Sequence, residues 1–191
     1  MTSNTTSFNL ESMAFDLDAT GQYRVLRKFV PQATYLADCT GPVRQAMIID
    51  TETTGLKVES CKVIEIGYAI VTYELGTGAI LRVDDTYSGL EDPEEPLSEE
   101  IIKVTGLHDE DLVGQHFDDA RILRDLGRVS VVVCFNSAFD RPFLEQRYPQ
   151  FSSKPFLCAM VDGPWKAMGF STLKQEYLVY QCAVLRENPS F

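Results

Sequence analysis

The sequence predicts an α/β protein with a mixed sheet of five strands flanked by helices. Three strands joined by hairpin turns come first, and helices then alternate with two further strands. Apolar runs rich in β-branched residues, such as residues 63–73, mark the strands. The length of 191 residues, with 45% hydrophobic and 24% charged residues, is ordinary for one globular domain.

Strand and helix signals follow one another in a consistent order. Gly76 and Gly78 predict a hairpin between the second and third strands. Capping residues and apolar spacing predict the helices, for example Ser98 at the start of one and Gly106 at its end. The predicted strands cover residues 46–50, 63–73, 79–87, 129–135 and 156–161, and the predicted helices cover residues 98–104, 117–126, 141–148 and 171–184.

The first 45 residues have a different pattern. Apolar residues at helical spacing predict two short helices over residues 8–30, with a break at Gly21, followed by a linker. We therefore predict an N-terminal helical extension over residues 1–45 and a second domain over residues 46–191.

Charge limits the kinds of partner. The chain has 28 acidic and 17 basic residues, hence a net charge of −11. This disfavours broad, sequence-independent binding to a phosphate backbone, which needs clustered Lys and Arg. An enzyme that holds only a strand end through divalent metal ions remains compatible, because the ions supply the local positive charge.

The spacing of the cysteines and the length of the apolar segments argue against several further classes of protein. The five cysteines are scattered without CxxC spacing, so neither a zinc site nor a disulfide framework is predicted. Cys134 and Cys158 lie in apolar runs and are expected to be small buried residues. No apolar run reaches the roughly 18–20 residues that span a bilayer. No signal peptide is recognisable either, so we expect a cytoplasmic protein without a membrane partner.

The strongest chemical signal is the segment from Asp50 to Leu56, DTETTGL, at the end of a predicted strand. Asp50 and Glu52 are two residues apart, so their carboxylates face the same way on a strand. Their charges repel unless a cation lies between them, and hard oxygen ligands suit Mg²⁺ or Mn²⁺. Taken alone, the segment could be an acidic turn, but acids ending an apolar strand favour a functional role.

A second signal is the segment from Cys134 to Asp140, CFNSAFD, where another predicted strand ends and a helix begins. Asp140 could be a metal ligand or only a helix cap. Considered alone, the cap is the more common role for an acid at that position.

Together these segments resemble the DEDD (DnaQ-like) 3′→5′ exonuclease superfamily, DEDDh branch, which includes the proofreading ε subunit of bacterial DNA polymerase III. DTETTGL matches the first motif, and an N-x-x-F-D pattern ending at Asp140 matches the second. Residues 104–110, VTGLHDE, resemble the connector between the motifs. The resemblance covers residues 46–184 and implies a ribonuclease H-like fold.

The resemblance also implies a mechanism. Members hold two Mg²⁺ or Mn²⁺ ions with four carboxylates and hydrolyse phosphodiester bonds at 3′ ends. By position, Asp50 would contact both ions, Glu52 would hold one and orient the attacking water, and Asp140 would serve the second. The residues expected to contact substrate are Thr53, Thr54, Gly55, Leu56, Val104 (as a base wedge) and Asn136. The implied partner is the 3′ end of single-stranded DNA, with RNA as an alternative.

Two departures from the family pattern bear on activity. The third motif, a His followed five residues later by an Asp, supplies the general base and the fourth carboxylate, and it has no match before Phe191. His108 and His116 are predicted on the surface, so no general base is assigned, and Phe135 replaces a His that often precedes Asn136. We therefore expect weak or no nuclease activity from these 191 residues.

The absence of a match to the third motif also has an expected structural consequence. We expect the last helix of the family to be lacking, which would leave apolar sheet surface uncovered and promote self-association. The alternative function is a non-catalytic nucleic-acid or protein-interaction module that keeps the exonuclease fold.

Overall fold

A five-stranded mixed sheet lies at the centre of the computed structural model, which describes residues 9–25, 32–36 and 39–184. The strands are β1 (Val43–Thr53), β2 (Val63–Glu74), β3 (Ile80–Leu90), β4 (Val131–Cys134) and β5 (Phe156–Cys158). Their order in the sheet is β3-β2-β1-β4-β5. The first three strands are antiparallel, whereas β4 runs parallel to β1 and β5 runs parallel to β4. The predicted mixed α/β fold is therefore confirmed.

Helices precede, connect and follow the strands. They are α1 (Leu10–Ala19), α2 (Glu99–Thr105), α3 (Asp109–Leu112), α4 (Asp119–Arg128), α5 (Ser137–Arg147), α6 (Ala159–Asp162) and α7 (Gln175–Val184), with a 3-10 turn over Pro149–Ser153. In α2 the predicted caps are present, because the Ser98 hydroxyl accepts from the N–H of Ile101 and Gly106 has a φ of 74°. None of the helices in the described part of the chain has the length and apolar character needed to cross a membrane.

Contacts divide the chain into two units. One unit contains α1 together with the segment from Trp165 through α7, and the other contains residues 32–164 with the whole sheet. This grouping by contact differs from the predicted division into residues 1–45 and 46–191, which remains a prediction.

The main core lies between one face of the sheet and the helices α4 and α5. Alternate residues of β1, such as Met47 and Ile49, are at most 1% exposed. They pack in one cluster with Ile122 of α4 and with Phe143 and Leu144 of α5. Cys134 belongs to the same cluster, and Cys158 is also buried, so the predicted burial of both is confirmed.

Several predicted boundaries were wrong by a few residues. Helix α4 begins at Asp119 because the carboxylate of Asp118 accepts from the N–H of Arg121 at 2.9 Å, and the helix continues through Gly127. Strand β5 has only three residues because the chain turns into α6.

The terminal helices also differ from prediction. Helix α7 begins at Gln175, so Ser171 is not its cap. Of the second helix expected near the N-terminus, residues 23–25 are not helical, and residues 26–31 lie outside the described residues.

A buried carboxylate joins α4 to the sheet. Asp125 is 0% exposed, and its Oδ2 accepts from the Tyr68 hydroxyl of β2 at 2.8 Å. Its Oδ1 accepts from Arg124 and Arg128 at 3.2 and 3.3 Å. A buried charge is tolerated when it is paired and hydrogen-bonded in this way, so the cluster fixes the position of α4 on β2.

Replacement of this carboxylate should destabilise the fold. In Asp125→Ala, the buried Tyr68 hydroxyl and the arginines lose their acceptor, so we expect the free energy of unfolding to fall by about 3 kcal/mol. Urea denaturation measures the change. The exposed Asp16→Ala of α1 is the control and should change it by less than about 0.5 kcal/mol. Equal stability of the two variants would contradict the role assigned to Asp125.

Candidate active site

Strand β1 presents its two motif acids on one face of the sheet. Thr51 and Thr53 are each 5% exposed and face the core, whereas Asp50 is exposed and Glu52 is half-buried. Successive side chains of a strand alternate between faces, so Asp50 and Glu52 share the face away from the main core.

The neighbouring strand places a further acid beside this pair. In the antiparallel register of β1 and β2, Glu52 lies opposite Glu65 and Asp50 lies opposite Gly67. A Cβ at Gly67 would meet nothing within 4 Å, so the space over Asp50 is open. Like charges directly opposite on a sheet are destabilising. Glu65 was missed in the sequence because it lies within an apolar strand, and only the register reveals its place.

The third motif acid reaches β1 from helix α5. Asp140 is 3% exposed and lies in the first turn of α5. Its Oδ1 accepts from the backbone N–H of Thr51 at 3.1 Å and from the Thr51 hydroxyl at 2.9 Å. Asp140 is not the cap of α5, because that helix begins at Ser137 and Asn136 occupies the capping position. The predicted helix start at residue 141 was therefore wrong by four residues.

Burial raises the pKa values of all three acids, and repulsion between their charges adds to the shift for Glu52 and Asp140. Partial desolvation of its carboxylate raises the pKa of Asp50, although the residue as a whole is exposed. For Glu52, burial acts first, and the charges of Asp50, Glu65 and Asp140 raise the pKa further. Burial also raises the pKa of Asp140 to about 6, although the hydrogen bonds from Thr51 partly oppose the shift. The acids thus lie close enough to repel one another.

The loop after β1 is tied to the start of β2. The Thr53 hydroxyl donates to the carbonyl of Gly55 at 2.6 Å, and Thr54 exchanges hydrogen bonds with the backbone of Lys62 at 2.9 and 3.0 Å. A Cβ at Gly55 would lie 2.8 Å from the Cys61 sulfur, so glycine permits this close approach. These bonds hold the backbone next to the acids.

Two exposed apolar residues and one amide complete the predicted set. Leu56 is 82% exposed and Val104, near the end of α2, is 74% exposed. The side chain of Asn136 makes no capping hydrogen bond. The backbone carbonyl of Asn136 accepts from the N–H groups of Phe139 and Asp140. The structure brings Asp50, Glu52 and Asp140 together, whereas the described contacts do not join Val104 to the acids.

Comparison with known sequences decides the family. A sequence model of the exonuclease family RNase_T matches residues 47–163, which include most of β1, all of β2 to β5 and all three acids. The chain belongs to this exonuclease family. The resemblance to DEDD-type 3′→5′ exonucleases is thereby confirmed, whereas the DEDDh branch and the absence of a last helix remain predictions.

One relative is similar in sequence to this chain over part of its length. The DNA polymerase III PolC-type of Halalkalibacterium halodurans is 33% identical over 101 residues, which is 51% of this chain. The matched region is only 6% of that much longer protein.

Solved exonuclease structures share the fold. Exonuclease X in complex with 5′ overhanging duplex DNA has a TM-score of 0.52 and 20% identity, over 76% of this chain and 78% of that chain. Apo Exonuclease I has a TM-score of 0.53 and 11% identity, over 71% of this chain and 36% of that chain. At these identities the likeness is one of fold, and it confirms the ribonuclease H-like architecture.

The two histidines belong to other elements of this exonuclease domain than the three acids. His108 and His116 are both exposed, the first at the start of α3 and the second in the loop before α4. The charge of His116 acts on Asp92, whose pKa is lowered mainly by hydrogen bonds from the backbone N–H groups of Gly114 and Glu94. Neither histidine is among the groups that shift the pKa values of the motif acids.

The carboxylate oxygens of the three acids are ligands of the type that divalent cations prefer. Within residues 9–25, 32–36 and 39–184, no three His, Cys, Asp or Glu side chains converge closely enough to enclose one metal ion. Mg²⁺ is commonly held by only one or two carboxylates, with water and substrate phosphate as its other ligands. Asp50, Glu52 and Asp140 fit that open mode of binding, because a cation would offset their repulsion.

The raised pKa of Asp140 predicts a pH-dependent contribution to stability. Its pKa is about 6 in the folded protein and 3.8 ordinarily, so the folded state binds the proton more tightly. The stabilisation is therefore complete below about pH 4 and is lost as the pH rises through about 6. Without divalent metal, the stability advantage of the wild type over Asp140→Asn should fall by about 2–3 kcal/mol across this interval.

Urea denaturation at several pH values measures this difference. The exposed Glu110→Gln of α3 is the control variant, measured over the same pH range. A constant difference between the wild type and Asp140→Asn would show that Asp140 is not held in a repulsive, buried site.

Proposed function

We propose that the chain removes nucleotides from the 3′ ends of single-stranded DNA, or of RNA, by hydrolysing phosphodiester bonds with two bound Mg²⁺ or Mn²⁺ ions. The observation that carries this proposal is the proximity of Asp50, Glu52 and Asp140. Asp140 accepts a hydrogen bond from Thr51, which lies between the other two, and the charges of Asp50 and Asp140 raise the pKa of Glu52. Known exonucleases of this fold have been solved with DNA, which supports a nucleic-acid substrate. The predicted cytoplasmic location agrees with such a substrate.

Each of the three acids would have its own role in binding the metal ions. Asp50 would contact both ions, Glu52 would hold one ion and orient the attacking water, and Asp140 would serve the second ion directly or through water. When bound, the ions supply positive charge beside the scissile phosphate and favour loss of a proton from water. Thr51 keeps Asp140 in place, because both of its hydrogen bonds go to one carboxylate oxygen.

Substrate contacts would come from the loop after β1 and from two exposed apolar side chains. The backbone of Thr53, Thr54 and Gly55 is held next to the acids and can approach a terminal nucleotide. Leu56 and Val104 would contact its base, since both are largely exposed. Asn136 would donate a hydrogen bond to the strand near the scissile bond.

The proton of the attacking water has no histidine acceptor at the described site. His108 and His116 are exposed and lie elsewhere. A well-placed general base contributes on the order of 10²–10⁴ in rate. We therefore propose slow hydrolysis by these 191 residues despite the assembled acids.

Digestion of a 5′-labelled single-stranded oligonucleotide tests this proposal. We expect slow shortening from the 3′ end in Mg²⁺ or Mn²⁺ and none in chelator. Asp50→Asn, Glu52→Gln and Asp140→Asn should each reduce the rate to background, because each removes a charged ligand.

The control variant and a binding measurement make the result interpretable. Glu99→Gln, at the exposed start of α2, should keep the wild-type rate. Titration calorimetry with Mn²⁺ should show weaker binding to Asp50→Asn than to the wild type. Rapid digestion that depends on Asp50 would contradict the proposed impairment, and digestion that does not depend on Asp50 would contradict the site.

An open apolar sheet face supports self-association, and with it the alternative of an interaction module without catalysis. The face forms a groove of about 220 Å³. Ile48 and Ile80 are each 38% exposed, and Leu157 is 48% exposed. The groove is lined by Ala46, Ile48, Val71, Tyr73, Gly78, Ile80, Val131, Val133 and Leu157. Since none of these residues is charged, we propose a second copy of the chain as the occupant.

Light scattering after size exclusion tests this association. We expect the wild type to form a dimer whose fraction rises with concentration. Leu157→Glu should give a monomer, because a charge would be buried in the interface. Val113→Glu replaces another exposed apolar residue, outside the groove, and should leave the dimer intact. A wild type that stays monomeric at high concentration would exclude the interface.

A further inference from the structure

Two cysteines lie side by side where the outer parallel strands end. Cys134 is the last residue of β4, Cys158 is the last residue of β5, and the two are register partners. Neighbouring strands are about 4.8 Å apart, and register partners project to the same face. Disulfides join Cα atoms about 4.4–6.8 Å apart, so the backbone positions suit a bridge.

The surroundings make Cys158 the more reactive thiol of the pair. Burial opposes its ionisation, but hydrogen bonds from the backbone N–H groups of Ser137, Val161 and Met160 and from the Ser137 hydroxyl outweigh burial and lower its pKa. Burial raises the pKa of Cys134, which is 0% exposed, far above its ordinary value. A small oxidant is therefore expected to react with the Cys158 thiol before the Cys134 thiol.

The same thiol is linked to the backbone before the candidate site. The sulfur of Cys158 donates to the carbonyl of Phe135 at 3.4 Å, and the N–H of Met160 donates to that carbonyl at 2.9 Å. Phe135 immediately precedes Asn136, from which α5 and Asp140 follow. The state of Cys158 is thus coupled to the backbone that leads to an acid of the site.

We propose that Cys134 and Cys158 are a redox modification site, which a hydroperoxide oxidises to a reversible disulfide. First, the Cys158 thiolate attacks the terminal peroxide oxygen and the O–O bond breaks, giving a sulfenic acid and releasing hydroxide from hydrogen peroxide or an alkoxide from an organic hydroperoxide. Cys134 then loses its proton to the departing hydroxyl group and attacks the Cys158 sulfur as a thiolate, so that the S–S bond forms as the S–O bond breaks and water leaves. The two thiols lose two electrons in total, and the peroxide gains them.

The bridge would lie at the edge of the sheet. Strand β5 is the edge strand and has only three residues, whereas β4 lies between β1 and β5. A bridge at such an edge is expected to be accessible to a dithiol reductant, which suits a reversible site.

Bridge formation should loosen the backbone that carries Asp140. The oxidised sulfur no longer donates to the carbonyl of Phe135. We expect faster amide exchange over residues 135–140 and a lower nuclease rate. The effect on nuclease rate depends on the proposed function, whereas formation of the bridge does not.

Intact-mass analysis of the reduced full chain, before and after treatment with hydrogen peroxide, tests the bridge. We expect a loss of about 2 Da, disappearance of two titratable thiols and recovery by a dithiol reductant. Proteolytic peptides should contain Cys134 linked to Cys158. An unchanged mass, or a bridge to Cys39, Cys61 or Cys182 instead, would overturn the proposal.

Single variants separate the two steps. Cys158→Ser should not form the bridge, and Cys134→Ala should leave a sulfenic acid on Cys158 that dimedone captures. Cys39→Ser is the matched control and should bridge as the wild type does. Bridging in the absence of Cys158 would refute the site.

Amide exchange over residues 135–140 tests the coupling. Unchanged exchange in the bridged protein would refute it. If neither the reduced nor the bridged chain digests DNA, the proposed nuclease function fails while the mass result still decides the redox site.

Discussion

The hydrogen bonds from Thr51 to Asp140 are the contact on which the candidate site depends. Thr51 lies between Asp50 and Glu52 but faces the core, so its N–H and hydroxyl meet the carboxylate that α5 presents. One strand therefore displays two acids outwards and anchors the third acid inwards. The alternation of a strand makes both possible within three residues. The spacing of the acids follows from these two hydrogen bonds between α5 and β1.

This arrangement has an electrostatic cost that the fold does not relieve by itself. The described arginines with ion pairs are engaged away from the acids: Arg124 and Arg128 pair with Asp125, and Arg147 pairs with Glu91. Burial raises the pKa values of Asp50, Glu52 and Asp140, and the unrelieved repulsion raises those of Glu52 and Asp140 further. A divalent cation that binds only the folded state would stabilise it. The net charge of −11 is therefore compatible with a nucleic-acid enzyme, since bound ions can provide the missing positive charge.

Much of the fold could be predicted, because alternating apolar residues and glycine turns specify strands locally. The start of α5 could not, since Asn136 occupies the capping position without a side-chain capping bond. That boundary changed the interpretation of Asp140 from a cap to a buried acid within the helix. Glu65 was hidden for another reason. Its role depends on the register of β1 against β2, a non-local property that no window of sequence contains.

The parallel arrangement explains why acids, an amide and a pair of thiols meet in one region. Strands β1, β4 and β5 run in the same direction, so the segments that follow them emerge at one edge of the sheet. Side chains at the carboxyl ends of parallel strands are common sites of function for that reason. The antiparallel β2 contributes from its beginning instead, which places Glu65 opposite Glu52. Because Phe135 links the end of β4 to both Cys158 and α5, a chemical change at the sheet edge can reach Asp140 through the backbone alone.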